Sequence, residues 1–176
     1  MKLIEDIVQD SVLTLDEGVA TLTLNRDDVR NALTGTALIE DIVGTAAWAN
    51  RTDAVSVLII TGAGSAFSAG GNIKEMATRS GDFAGDVPEV EARYRRGIQQ
   101  IPLAMDRINI PTIAAVNGPA IGAGFDLSCM CDFRIASTKA VFGETFVNLG
   151  IIPGDGGAWF LQRVLDYQKA MELALT

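Results

Sequence analysis

Two stretches of bare backbone are the residues most able to do chemistry. The first is "GSAFSAGGNIKEM" at 64–76, and the second is "NGPAIGAGFDLSCMCD" at 117–132. Glycine and alanine let a ligand approach the main chain and meet its N–H groups. Each stretch follows a short apolar run, "VSVLIITG" at 55–62 and "PTIAAVNG" at 111–118, and each leads into a helical pattern. A strand–turn–helix unit aims its N–H groups outward, where the helix dipole adds to them. One such turn is more often structural than functional. Two of them allow one N–H from each to converge on a single carbonyl oxygen, an oxyanion hole made of backbone alone. Neither is a nucleotide motif. "GAGSAFSAG" lacks the Lys-Ser/Thr of a phosphate loop, and "GPAIGAG" does not have the dinucleotide spacing.

The chain has no histidine. That removes Ser-His-Asp and Cys-His catalysis and the usual metal sites, so no metal is expected. Cys129 and Cys131 form a C-x-C whose disulfide would be strained, and zinc would need more soft ligands. They read as buried free thiols. Proton transfer falls to Asp, Glu, Lys, Tyr or water.

The elements that must position these loops alternate between strand and helix, which predicts an α/β fold in one domain over 1–176. "GVATLTLNR" at 18–26 alternates as a half-buried strand, and 55–62 and 111–118 read as buried strands. "FRIAS" and "AVFGE" are two shorter ones. The spacing of Leu38, Ile42, Ala46 and Trp48 predicts a helix within 31–50, and a short one follows near 72–78. Residues 79–90 read as a loop, and 91–108 as an amphipathic helix kinked near Pro102. Tyr94, Arg95 and Arg96 point to a polar or ordered lid. Further helices are predicted over 154–165 and from Gln168 onward. No strong internal repeat and no linker are visible. The net charge of −8 argues against general nucleic-acid binding. No apolar run approaches the ~20 residues of a membrane span, and no signal peptide is evident. A cytoplasmic protein without membrane or nucleic-acid partners is expected. The chain stops at Thr176 inside an apolar helical pattern without a cap, so part of the protein is expected to be missing.

Four ordered segments carry a resemblance. They are "GSAFSAGGNIKEM", "PTIAAVNGPAIGAGFDLSCMCDFRIAS", "FGETFVNLGIIPGDGGAWFLQRVLDYQKAMELALT" and "NRDDVRNAL" at 25–33, the last with Asp27 where proline is common. Together they resemble the crotonase superfamily, the enoyl-CoA hydratase/isomerase family, over nearly the whole chain. The resemblance implies a spiral of repeated ββα units followed by a C-terminal helical trimerisation region. Full-length relatives are longer, so that region is expected to be largely absent. It implies an acyl-CoA thioester as substrate, with coenzyme A part of the substrate and no separate cofactor, and a homotrimer or dimer of trimers. By motif position the two N–H donors are those of Gly71 and Ala123. Ala69, Gly70, Gly71, Asn72, Ile73 and Lys74 would line the coenzyme A pocket, with Asn72 in place of the more usual Asp. Arg30 sits where relatives often carry a basic residue near the coenzyme A phosphates, or is a solvated charge.

The proton-transferring side chains depart from the family pattern. Hydratases of the family use two glutamates. Asp126 stands at the first position, with a helix-capping alternative. Phe146 stands at the second and cannot transfer a proton. Glu144, two residues earlier, would face the same way if the backbone is extended. Asp155 lies one residue beyond a position where some isomerases and dehalogenases carry Asp, and also reads as a helix N-cap or first-turn acid. The resemblance thus implies a lyase or isomerase of fatty-acid metabolism. Enoyl-CoA hydration comes first. The alternatives are a double-bond isomerase with a single carboxylate base and an acyl-CoA-binding member without turnover. The acyl group stays open.

Overall fold

The computed structural model describes residues 1–176. The chain opens with a meander. Strands β1 (Lys2–Ile4) and β2 (Ser11–Asp16) pair antiparallel, and β2 pairs antiparallel with β3 (Val19–Leu24). The turn between β2 and β3 places Glu17 and Gly18 both at positive φ, 47° and 86°. That suits the right-handed twist of a two-residue hairpin. Neither β1 nor β2 was read as a strand from sequence.

From β3 onward the sheet becomes parallel. β4 (Val57–Gly62), β5 (Thr112–Val116) and β7 (Phe133–Ala136) complete the order β1-β2-β3-β4-β5-β7. β6 (Ala120–Ile121) and β8 (Phe142–Gly143) pair with each other in a second, smaller sheet. Two isolated parallel bridges, Ala32 with Gly70 and Ser68 with Ala120, extend that second ladder. So each parallel strand is followed by a short crossing segment and then by helical structure. β3 leads through Ala32 to α1 (Leu38–Ala49), and β4 leads through Ser68–Gly70 to α2 (Ile73–Thr78). α3 (Val87–Arg96) and α4 (Gln100–Asp106) follow α2. β5 leads through β6 to α5 (Ala123–Cys129), and β7 leads through β8 to a 3-10 turn at Phe146–Leu149, α6 (Gly157–Val164) and α7 (Tyr167–Leu175). This is the expected winding of ββα units. The repeat is visible in backbone pairing although it is absent from the residues themselves.

Leu22, Leu24, Leu58, Ile60, Ala114 and Val116 point from the sheet into one core with Leu38, Ile42 and Ile101. The alternating burial of β3, β4 and β5 leaves their other face half-exposed. β4 and β5 are therefore buried on one side only, not on both as their apolar runs imply. Two helices also differ from expectation. α1 begins at Leu38, because Arg30, Asn31 and Gly35 take positive φ and hold 31–37 as a loop. The 91–108 helix is two helices that break at Gly97, whose φ and ψ are −105° and −110°. Pro102 does not kink it. It sits in the first turn of α4, where its missing N–H has no helical acceptor to lose.

Asn31 ties this frame to the first bare loop. It is fully buried, its Oδ1 accepts from Arg26 N at 2.8 Å, and its Nδ2 donates to the carbonyls of Ala63 and Ala66, each at 3.0 Å. Asn117 does the same from the second loop. It accepts from Gly62 N at 3.1 Å and donates to Gly64 and Ala66 carbonyls at 3.3 and 3.2 Å. Replacing Asn31 with alanine leaves Arg26 N and the Ala63 carbonyl without partners, while the Ala66 carbonyl keeps Asn117. Urea unfolding of Asn31→Ala is expected to show a loss of about 2–4 kcal/mol. A loss below ~1 kcal/mol would mean that water reaches these groups.

Candidate active site

The first loop spends nearly all of its N–H groups internally. Phe67 and Ser68 donate to the Pro119 carbonyl at 3.0 and 3.2 Å, and Ala69 donates to Arg30 at 2.9 Å. Gly70 donates to Ser68 Oγ at 3.1 Å, and Asn72 donates to Thr34 Oγ1 at 2.8 Å. Gly71 alone in this run donates to nothing. The second loop brings in Ala123, the first residue of α5, whose N–H has no acceptor within the helix. The two sites meet because the backbones touch. A Cβ on Gly70 would stand 2.5 Å from the Ile121 carbonyl and 3.0 Å from Ala123 N, and one on Gly124 would overlap the Ser68 carbonyl. Only side-chain-free residues allow that approach. Two N–H groups without partners therefore lie side by side at the start of a helix, an arrangement able to hold a developing oxyanion. The methyl of Met76 packs over Gly71, 2.6 Å from where a Cβ would be. Met76 and Thr34 went unnoticed in the sequence; the helical interval from the cap Asn72 to Met76 is the one available signal.

Three carboxyl groups form the second half of the site. Asp126 lies one turn beyond Ala123 on α5, so both are on the same face. Asp126, Glu144 and Asp155 are 0%, 5% and 3% exposed, and none of their six oxygens accepts a well-formed hydrogen bond. Asp41, equally buried, shows the contrast: it accepts from the N–H groups of Gln9 and Asp10 at 2.8 and 2.9 Å. Asp126 fills the space a side chain on Gly157 would occupy, so the first turn of α6 is built around it. Burial raises the Asp126 pKa far above the usual carboxylate range, and the charges of Asp155 and Glu144 raise it further. Burial and then the Asp155 charge push Glu144 up to about 7. Burial also raises Asp155, opposed by Asp126 and by its own and Gly157's N–H groups, which lie near without the geometry of a hydrogen bond.

The capping alternatives for these acids do not hold. The N-cap of α5 is Gly122, and that of α6 is Gly156 at φ 104°. Glu144 does face the site, but not by strand alternation: Thr145 has φ −102° and ψ 8°, so the chain turns between Glu144 and Phe146. Phe146 is buried, with its ring 3.8 Å from where a Cβ on Gly122 would be. Cys129 and Cys131 are free and buried, and burial pushes both thiols up to about 12.

A cleft of about 1390 Å³ has a wall that reaches Gly154, the chain neighbour of Asp155, while Gly71, Ala123 and the three carboxyls lie outside its lining. Ile73, Met76, Val87, Val90, Leu149 and Ile151 supply apolar wall, and Tyr94 packs edge-on against Phe83 at 6.1 Å. Tyr94 thus lies in the wall of the cleft with Arg95, while Arg96 faces a different hollow. Of the residues at 69–74, Ile73 alone lines the cleft. Asn72 caps α2, accepting from Lys74 and Glu75 N–H, and Lys74 is exposed. Arg30 is exposed at the rim of the first loop and donates to Ser65 Oγ at 3.2 Å. Asp27, at the departure from proline, accepts from Ser65 N and Oγ at 2.9 and 3.0 Å.

The raised carboxyls make stability depend on pH. Unfolded Asp and Glu ionise near 4, whereas these three hold protons to higher pH when folded. The folded state then binds more protons at these groups, so the stability they contribute is fully present below about pH 4 and is lost as pH rises toward and past 7. Asp126→Asn removes the group most strongly shifted. Urea unfolding is expected to find this variant about 1–3 kcal/mol more stable than the parent at pH 8, with the gain vanishing near pH 4. An equal effect at both pH values would contradict the unpaired burial.

The family model described as enoyl-CoA hydratase/isomerase matches residues 14–176. The trans-2-decenoyl-[acyl-carrier-protein] isomerase of Streptococcus mutans is 35% identical over 170 residues, 96% of this chain and 62% of that protein. A probable enoyl-CoA hydratase of Mycobacterium tuberculosis is 38% identical over 159 residues, 90% of this chain and 59% of its own length. The crystal structure of an enoyl-CoA hydratase from Bacillus anthracis superposes with a TM-score of 0.83 at 34% identity, covering 94% of this chain and 62% of that one. The chain thus spans about three fifths of the relatives it matches. With a family model over nearly its whole length, the chain belongs to the enoyl-CoA hydratase/isomerase family.

Proposed function

We propose that residues 1–176 form the acyl-CoA-binding core domain of an enoyl-CoA hydratase. The observation that carries this reading is the pair of N–H groups at Gly71 and Ala123, with the buried Asp126 one turn away on the same face of α5. The thioester oxygen accepts both N–H groups. As water adds to Cβ, charge moves to that oxygen as an enolate, and the fixed donors oppose it without reorganising. One carboxylate takes a proton from the water and one carboxylic acid delivers a proton to Cα. Asp126 and Glu144 supply these two groups. Coenzyme A enters past Arg30 and the 69–74 backbone as part of the substrate, and no separate cofactor takes part. The proposal includes a cytoplasmic location and a homotrimer or dimer of trimers. No helix is long and apolar enough to cross a membrane.

The apolar cleft supports an acyl chain longer than the four carbons of crotonyl-CoA, because its walls run from Ile73 and Met76 out to Val87 and Val90. A second reading, double-bond isomerisation, rests on Phe146 standing where the resemblance puts the second glutamate. One carboxylate could then carry a proton between Cγ and Cα. The printed name of the Streptococcus mutans relative favours it as well.

Assays of the complete protein with 2-enoyl-CoA and 3-enoyl-CoA esters separate these readings. Hydration of 2-enoyl-CoA is expected, with kcat/KM rising about fourfold per added methylene in the shorter chains. Turnover of 3-enoyl-CoA alone would select isomerisation, and tight binding without product would select a non-catalytic binder. Replacing Ala123 with lactic acid turns its amide into an ester and deletes one proposed donor without adding an atom where Gly70 packs. It is expected to lower kcat by about 10²–10³ with a near-native melting temperature. Unchanged kcat would remove Ala123 from the site.

A further inference from the structure

Asp155 is a carboxyl group the two-carboxyl mechanism does not need. It comes from the turn before α6, whereas Asp126 comes from α5 and Glu144 from the segment after β8. Three separate elements thus deliver three buried acids to one place. Asp155 is 3% exposed, caps no helix, and both its oxygens lack a well-formed hydrogen bond. No cation answers the cluster: none of the chain's five ion pairs includes these residues. Arg134, whose charge acts on Cys129, spends its Nη1 on the Ser128 and Cys131 carbonyls at 3.0 and 2.7 Å. The other titratable groups that face the cluster are Tyr94 from α3 and Cys129 from α5, both neutral there because burial and the neighbouring acids raise their pKa values.

Three adjacent buried carboxylates without a cation cannot all stay ionised. Like charges at this range are relieved by keeping protons, as in paired catalytic carboxyls. We infer that Asp155 is a positioning residue that holds Asp126 and Glu144 in a proton-sharing cluster, so that a carboxylic acid and a carboxylate are present together at the enolate site. The inference rests on the enoyl-CoA reading for its use. In hydration the carboxylate takes a proton from water while the water oxygen bonds to Cβ and the π pair moves toward the thioester oxygen. The carboxylic acid then gives its proton to Cα as the enolate collapses. The two carboxyls have exchanged states, and one proton passed within the cluster restores them. One water is consumed and nothing is oxidised or reduced. The burial of all three carboxyls, at 0%, 5% and 3% exposed, keeps the exchange internal.

The test is a 13C-carboxyl NMR titration of the complete protein labelled at Asp and Glu, in parent and Asp155→Asn forms, beside the pH profile of kcat. Removing a neighbouring negative charge makes ionisation easier, so the midpoints of Asp126 and Glu144 should fall by about one pH unit or more in the variant. Both limbs of the kcat profile should move to lower pH with them. A merely structural role would lower kcat at every pH and move neither limb. Unmoved midpoints in a folded Asp155→Asn protein would overturn the inference. If that variant does not fold, the parent alone decides: carboxyls that titrate together above pH 5 support the cluster, and three separate midpoints near 4 overturn it. The NMR titration needs no turnover, so absence of any enoyl-CoA activity would reject the proposed function and leave this result standing.

Discussion

The contact on which the rest depends is backbone against backbone. Gly70 rests on the Ile121 carbonyl and the Ala123 nitrogen, and Gly124 rests on the Ser68 carbonyl. A methyl group at either glycine would force the two turns apart. Their closeness brings the Gly71 N–H beside the start of α5 and leaves it nothing in the protein to bond. Asn31, Asn117 and Ser68 consume the neighbouring polar groups, so the surrounding loop has no slack with which to satisfy Gly71. Gly71 is half-exposed, so its N–H stays open toward the outside of the loop while the groups around it are bonded.

The carboxyl cluster shows the opposite economy. From Phe67 to Asn72 the first loop leaves only the Gly71 N–H without an acceptor, whereas Asp126, Glu144 and Asp155 are left entirely unsatisfied. Such burial works against folding, and it persists only where the surrounding structure dictates it. The parallel strands β4 and β5 and the two ladders supply that rigidity, since both loops grow directly from their C-terminal ends. Stability is concentrated in the sheet and expended at its edge.

Much of this was legible in the residues. A run such as "SAGG" has little reason to follow an apolar strand unless backbone must come close to something, and the second run, "IGAG", made the pairing readable. What was not legible depends on through-space neighbours. Asp155 looked like a helix cap because acids are common before helices, but Gly156 takes the cap conformation and frees the acid to turn inward. Glu144 comes to lie among the buried acids by a turn at Thr145 and not by an extended backbone. The break at Gly97 was assigned to Pro102 because proline is the stronger breaker by type, yet a proline in a first turn breaks nothing. The hairpin of β2 and β3 was missed because its turn at Glu17–Gly18 needs a non-glycine residue at positive φ.

Phe146 bears on all of these points. An aromatic ring carries no proton, and the buried Phe146 ring fills the space beside Gly122. In a buried site each carboxyl ionises less readily and feels its neighbours more strongly. The two further acids, Glu144 and Asp155, therefore do not simply stand in for a missing one. They change the protonation of Asp126 in a way that a solvated partner could not. The N–H pair is indifferent to pH, because backbone amides do not titrate in this range. On the proposed enoyl-CoA reading, the pH dependence of proton transfer then arises in the carboxyl cluster, while the N–H pair holds the thioester oxygen alike at every pH. Binding and proton transfer are thus assigned to two different kinds of group, joined through one turn of α5.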